Sequence, residues 1–323
     1  GTATFTVTLS EAVGSDVTVD FTTSSQTLNF TTAVIDTSAD GAKDVYVADV
    51  DGDGDLDVVS ASYTDNTIAW YENDGAANPS WTAVDIATSA DGAKDVYVAD
   101  MDGDGDLDVV SASYSDNTIA WYENDGAANP SWTAVDINTS AGGAWDVHVA
   151  DMDGDGDLDI VSASRLDNTI AWYENDGAAN PSWSAADITT SADWARDVFV
   201  ADMDGDGDLD IVSASYVDDT IAWHENDGAA DPSWTTIDIV TFTSPNGPDG
   251  VFDVHVADMD GDGDLDIVSA SDVDDKIAWY ENDGAADPTW TAVDIATSAD
   301  GAVDVHVADM DSDGDLDIVS ASY

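Results

Sequence analysis

An all-β fold of six repeated blades, each of four antiparallel strands, is what this sequence predicts, and three observations predict it. The text repeats with a period of 51 residues, read from Asp49 to Asp100, Asp151 and Asp202. Between its turns each repeat alternates apolar and polar residues with the period of a strand, and no segment holds a helical period. Every repeat also carries one run of aspartates at alternate positions, loosened by glycine into a tight loop between two strands. Four short strands per repeat describe the blades of a β-propeller better than the single turns of a β-solenoid.

The chain opens differently. Thr2–Leu9 and Asp16–Thr23 alternate cleanly and read as two strands around a Gly14-Ser15 turn. From Leu28 the repeat is entered part-way, with Asn29-Phe30 standing where the next copy has Ser80-Trp81. A full repeat then offers strands at Asp44–Ala48, Val58–Ser62, Thr67–Glu72 and Trp81–Ala87. Between them lie the aspartate loop, a Tyr63-Thr-Asp-Asn turn and a longer turn from Asn73 to Pro79. Pro79 falls where it removes no ladder hydrogen bond. Five residues inserted around Phe242–Gly250 stretch the interval from Asp202 to Asp258 to 56, and Asp309 restores the period. The sixth repeat stops at Tyr323 after its second strand. Val17–Thr23 and residues 27–37 are therefore expected to finish that blade, which protects an otherwise open edge. The division expected is residues 1–26 as N-terminal strands, for blade completion or strand donation, and 27–323 as the propeller.

The aspartate loops carry the chemistry. Carboxylates at positions 1, 3 and 5 of a tight loop, Gly at 6 and Asp at 9 suit a hard cation, and calcium takes six to eight oxygens. In the first copy the side-chain ligands would be Asp49, Asp51, Asp53 and Asp57, with Asp55 giving its backbone carbonyl. The pattern recurs at Asp100, Asp102, Asp104, Asp106 and Asp108, and at Asp151, Asp153, Asp155, Asp157 and Asp159. It returns at Asp202, Asp204, Asp206, Asp208 and Asp210, then at Asp258, Asp260, Asp262, Asp264 and Asp266. Asp309, Asp311, Asp313, Asp315 and Asp317 complete the set, so about six Ca2+ ions are expected. An EF-hand is excluded, because position 12 is Ser60 rather than a bidentate Glu.

Composition narrows the partners. Asp and Glu number 70 against five Lys and Arg, a formal charge of -65. Nucleic acid and anionic membrane need a positive face, so neither is expected as a partner. Twelve Trp and 43% hydrophobic residues argue against disorder despite the charge. There is no Cys, and no apolar run is long enough to span a membrane. The chain begins at Gly1 rather than Met, the expectation for a processed form or an excised piece. Calcium loops of moderate affinity need millimolar calcium, which places the chain outside the cell or on its surface.

Val47-Ala-Asp-Val-Asp-Gly-Asp-Gly-Asp-Leu-Asp-Val-Val resembles the FG-GAP repeat of integrin α-chain propellers and of bacterial VCBS-type repeat proteins. Thr67-Ile-Ala-Trp-Tyr-Glu-Asn-Asp-Gly is similar to the bacterial members. The resemblance covers about residues 27–323. It implies a calcium loop between the first and second strands of each blade, carried over position by position onto the six aspartate runs. Ser312 departs from it, standing at loop position 4 where the other copies have Gly. Phe5-Thr-Val-Thr-Leu and Val17-Thr-Val resemble the closing hairpin of Calx-beta domains. The propeller resemblance implies adhesion, ligand display or scaffolding, and also occurrence beside enzymes, so it does not choose among them.

Two tryptophan sets recur: Trp70, Trp121, Trp172, Trp223 and Trp279 in the third strands, and Trp81, Trp132, Trp183, Trp234 and Trp290 opening the fourth. Blade-to-blade packing is their expected role, with a sugar platform as the rival. His148, His255 and His306 share a register with Tyr46, Tyr97 and Phe199, so the site accepts any flat ring rather than a metal. Trp145 and Trp194 break the repeat and are the candidates for a blade-specific surface feature. Near-identical blades supply six copies of one surface rather than a convergent set of unlike groups, so no enzyme is expected. The function expected is a calcium-binding extracellular structural or adhesive propeller, able to self-assemble into filaments through its N-terminal strands. The alternatives are a lectin-like propeller with a glycan or cell-surface protein as ligand, or the non-catalytic module of a larger secreted protein.

Overall fold

The computed structural model describes residues 34–240 and 249–322. Every regular element there is a strand. In the first repeat these are β1 (Ala42–Ala48), β2 (Asp57–Ser62), β3 (Thr67–Asn73) and β4 (Trp81–Ala87), paired antiparallel in chain order. The pattern repeats as β5–β8 (93–138), β9–β12 (144–189), β13–β16 (195–240) and β17–β20 (251–296). A two-stranded sheet follows, β21 (Ala302–Ala308) with β22 (Asp317–Ser322). The described residues thus form five four-stranded blades and one pair.

The expected strand three of blade six, Val17–Thr23, lies outside the described residues, as do Thr2–Leu9 and most of 27–37. The part that is described, residues 34–37, is not a strand. Val34 and Ile35 instead border an apolar groove with Val45, Val58 and Tyr71.

One detail of the first strand was not legible in the alternation. Ala42 pairs with Ser62 and Asp44 with Ala61, so Lys43 is an extra residue with no partner. The same bulge recurs at Lys94, Trp145, Arg196, Phe252 and Val303. A bulge interrupts the two-residue period, which is why strands expected from Asp44 in fact begin two residues earlier.

The core lies between blades. Val59, Ala61, Ile68 and Trp70 of the first blade pack against Ala93, Val96, Val98 and Val109 of the second. The last such cluster joins Val268, Ala270 and Ile277 to Ala302, Val305 and Val307. Trp70, Trp121, Trp172 and Trp223 are buried within these seams, where truncating a packed Trp costs about 3–5 kcal/mol. The fourth-strand tryptophans are half-buried and flank them, Trp132 against the first seam and Trp183 against the second. The third-strand set and Trp132, Trp183, Trp234 and Trp290 of the fourth-strand set are packing residues. By contrast Val45, Val47 and Val319 stay about half exposed, at the flanks of the first blade and of the β21–β22 pair.

β1, β5, β9, β13, β17 and β21 together line one cavity of about 300 Å3. Tyr46, Tyr97, His148, Phe199 and His255 of its lining, continued by His306, form an unbroken chain of rings, with successive centroids 4.8–5.2 Å apart. Burial pushes His148 and His255 down to about 4, so they are neutral aromatic rings near neutral pH.

Candidate metal centres

Each aspartate loop folds on its own side chains. In the first, Gly54 N–H donates to Asp49 Oδ2 at 3.0 Å, Asp53 N–H to Asp51 Oδ1 at 3.2 Å and Asp55 N–H to Asp53 Oδ1 at 2.9 Å. These bonds need the chain to turn back sharply, and Gly52 and Gly54 supply φ of 73° and 98°. No atom lies within 4 Å of where a Cβ on Gly52 would sit. That open space is why Ser312 is accommodated at the matching position, with φ of 61°.

The loops bring carboxylates together as the alternation requires. Asp49, Asp51 and Asp53 place one oxygen each within 4.8 Å of the others, as do Asp151, Asp153 and Asp155, Asp202, Asp204 and Asp206, and Asp258, Asp260 and Asp262. In the second repeat the cluster is Asp100, Asp102 and Asp108. Burial raises Asp51, Asp102, Asp153 and Asp204 above the usual carboxylate range. Asp49, Asp151 and Asp202 each hold a buried Oδ1 with no hydrogen-bond partner. An orphaned buried carboxylate oxygen is costly unless a cation meets it. An all-oxygen donor set with such orphans fits calcium, and the residues that would hold it are those at positions 1, 3 and 5, with position 9 in the cluster of the second repeat.

Positions 7 and 9 are placed differently. Asp55 lays its carboxylate against Gly75 in the turn after β3, where a Cβ would collide with it. The same holds for Asp106 and Gly126, Asp157 and Gly177, Asp208 and Gly228, and Asp264 and Gly284. The side chain therefore faces the neighbouring turn, which leaves only the backbone carbonyl of position 7 for a cation. Asp57 is buried and already engaged: its Oδ2 accepts from Trp70 Nε1 at 2.9 Å and Val50 N–H at 3.2 Å, its Oδ1 from Asn73 N–H at 2.8 Å. Asp108, Asp159 and Asp210 make matching backbone bonds and are pushed up to about 7 by burial. Position 9 thus ties the loop to its blade. In the second repeat it does so while remaining in the acidic cluster.

Two features escaped sequence reasoning. Asp44, Asp95, Asp146, Asp197, Asp253 and Asp304 form a second acidic series around the cavity. The Oδ2 atoms of Asp44, Asp95, Asp146, Asp197 and Asp253 accept the N–H of Val96, Val147, Val198, Val254 and Val305, one blade on, at 2.8–3.2 Å. Burial, then the neighbouring aspartates, raise Asp95 and Asp146 well above the usual range, and burial carries Asp197 to about 7. The second feature is the set of bulge residues, of which only Trp145 stood out in the sequence, by its break in the repeat. The repeat period places both series at one register, which was the available signal.

His224 stands where the other blades have Tyr. Its Nε2 lies 2.9 Å from Ser213 Oγ and its Nδ1 2.9 Å from Thr236 Oγ1. It is fully buried, and burial pushes it down to about 4. The bordering space is about 40 Å3, the size of a water rather than a substrate.

Residues 49–111, 100–162, 151–213, 202–269 and 258–320 each match the FG-GAP-like repeat. No curated protein matches the sequence closely enough to count as a relative. Among solved structures, a protein from Lactobacillus plantarum is 17% identical with a TM-score of 0.60, over 86% of this chain and 76% of that one. An Agrocybe aegerita lectin that recognises non-reducing terminal N-acetylglucosamine is 18% identical with a TM-score of 0.53, over 80% and 67%. The Vibrio cholerae biofilm matrix protein Bap1 is 19% identical with a TM-score of 0.52; 86% of this chain is covered but only 43% of Bap1. The fold also carries enzymes, among them a periplasmic gluconolactonase of Pseudomonas aeruginosa at 12% identity and a TM-score of 0.53, over 84% and 71%.

Proposed function

The chain belongs to the FG-GAP-like repeat family of β-propellers, and from that premise we propose a calcium-stabilised, non-catalytic extracellular module with a structural or adhesive role. The observation that carries the calcium reading is the orphaned Oδ1 of Asp49, Asp151 and Asp202 inside three-carboxylate clusters. Closure into six blades is part of the proposal, supported by the six first strands that share one cavity. Residues 1–26 would supply strands to the sixth blade, since β22 pairs only with β21 among the described residues. The same strands donated to a neighbouring molecule would make a head-to-tail filament. Enzymes use this fold too, so the non-catalytic reading rests on the repeated, near-identical loops and on the small space beside Ser213 and His224. The biofilm matrix protein among the structural neighbours gives an extracellular structural role a precedent, and the lectin gives one to a glycan ligand.

Calcium removal tests this directly. If free calcium stands about ten to a hundred times above each Kd, binding stabilises by about 1.4–2.7 kcal/mol per site. Six sites then contribute on the order of 8–16 kcal/mol, as much as a whole domain's stability. Excess EDTA at low salt should lower Tm steeply, and calorimetric back-titration should recover it. An unchanged Tm would end the calcium reading.

A further inference from the structure

The six bulge residues are one register at which near-identical blades differ. Asp44 and its five counterparts are invariant in this chain, yet the residues just before them are Lys43, Lys94, Trp145, Arg196, Phe252 and Val303. A bulge re-aims its side chain, and all six border the cavity, at the opposite end of the first strands from the aspartate loops. This is a convergent set of unlike groups, of which the sequence pointed only to Trp145, with Trp194 beside it.

Charge makes the set unusual. The chain has five Lys and Arg. Lys276 is paired with Asp274 and Asp294 at 3.1 and 3.6 Å. The other four gather here, with Arg165 joining from the turn after β10. Among the described residues none of the four lies within ion-pair distance of a carboxylate. Lys94, Arg165 and Arg196 meet aromatic rings instead. Lys94 Nζ lies 3.9 Å from the centroid of Trp145, and the Arg196 guanidinium carbon 4.0 Å from it. Arg196 is also 4.4 Å from Phe252 and 4.8 Å from Tyr216, and Arg165 is 3.7 Å from Trp194. Arg196 is only 6% exposed, and its Nε has no partner. Asp272 acts on it through space, and its carboxylate accepts from Tyr216 Oη at 3.3 Å.

Trp194 adds strain. It adopts φ of 61° at the position where the other repeats use glycine, a costly conformation for a bulky residue. Its ring stacks on Tyr216 at 5.8 Å. Cations on aromatic faces recover only part of the cost of leaving water. A buried, unpaired guanidinium beside like charges stays costly unless an anion completes it.

We propose that this mouth of the cavity is an oxyanion site, taking a carboxylate or sulfate in the fork of Arg196 with Lys94, Lys43 and Arg165 around it. A planar guanidinium matches such oxyanions with two parallel hydrogen bonds. The surrounding Trp and Tyr rings suit a sugar that carries the anion. The site does not depend on the calcium loops, which lie at the other end of the strands.

The test uses the full chain in saturating calcium and about 0.15 M salt, where distant carboxylates are screened. Sodium sulfate, sodium glucuronate and glucose are titrated against tryptophan fluorescence and heat. Both anions should saturate one site and glucose should not. Glucuronate binding at least about tenfold tighter than sulfate assigns the anion to a sugar; equal affinities assign it to a free oxyanion. Lys94→Gln should weaken binding about tenfold, the loss of one charged contact. Lys43→Gln, at an exposed position, should also weaken it, and Lys276→Gln should leave it unchanged. No saturable binding of either anion to the natural chain overturns the proposal, as does a Lys43→Gln, Lys94→Gln double variant that binds both as tightly. Because calcium is saturating throughout, failure here leaves the calcium reading untouched.

Discussion

Asn73 and Asn124 end the third strands of adjacent blades in the same sequence context, yet their environments differ. Asn124 is buried, and its Nδ2 donates to Leu107 O at 2.9 Å and, across the seam, to Val50 O at 3.3 Å. Its Oδ1 accepts from Gly126 N–H at 3.0 Å. Asn73 makes the matching bonds to Leu56 O and from Gly75 N–H, at 2.8 and 3.1 Å, but none to another blade. It is half-exposed, so water can serve what a substitution leaves behind. Asn124→Ala orphans Val50 O in a buried seam, together with the part-buried Leu107 O and Gly126 N–H. Each orphaned group costs about 1–3 kcal/mol when water cannot replace the partner. Allowing for partial hydration, Asn124→Ala should cost about 3–4 kcal/mol and Asn73→Ala about 1–2 kcal/mol. Urea unfolding at fixed calcium measures both through shifts of the midpoint at constant slope. Equal losses, or a larger one for Asn73→Ala, would refute the claim that the cross-seam bond and burial separate them. Asn175, Asn226 and Asn282 bond across to Met101, Met152 and Met203 and should behave like Asn124.

The cavity aspartates give a pH dependence. Asp197 is raised to about 7 in the folded chain, so the folded state holds more protons than the unfolded one above the ordinary Asp value. That contribution is complete below about pH 4 and is lost as pH rises through about 7. In EDTA, Tm should fall from pH 5.5 to 8, and Asp197→Asn, which keeps an acceptor for Val254 N–H, should flatten the slope by on the order of 1–3 kcal/mol; an Asp197→Asn profile parallel to the natural one refutes this. Gly126 and Gly103 both need positive φ, at 65° and 73°, but a Cβ on Gly126 meets Asp106 and one on Gly103 meets nothing. Gly103→Ala should cost about 1 kcal/mol and Gly126→Ala about 2–3 kcal/mol by thermal unfolding, and the reverse order would show that Asp106 moves freely.

The loops and strands were legible because their determinants are local. The three carboxylates of a cluster such as Asp49, Asp51 and Asp53 lie within five residues, so spacing and glycine alone bring their oxygens together. The strand alternation likewise needs only two-residue periodicity, and Trp81–Ala87 falls where the pattern puts it. What the chain alone could not give is set across 50 residues or more. Asp44 reaches Val96 N–H, and Asn124 reaches Val50 O, only once two blades are stacked. Periodicity aligns such residues at one register without saying that they face a common space. Nor does it say that an extra residue at Lys43 breaks the pleat and turns six unlike side chains toward one cavity. Packing within the blade also gives Asp57 a role beside the ligand role its spacing suggests, because Trp70 and Asn73 of the same blade fold over its oxygens. Local spacing fixed the loop; packing between and within blades fixed what each carboxylate does.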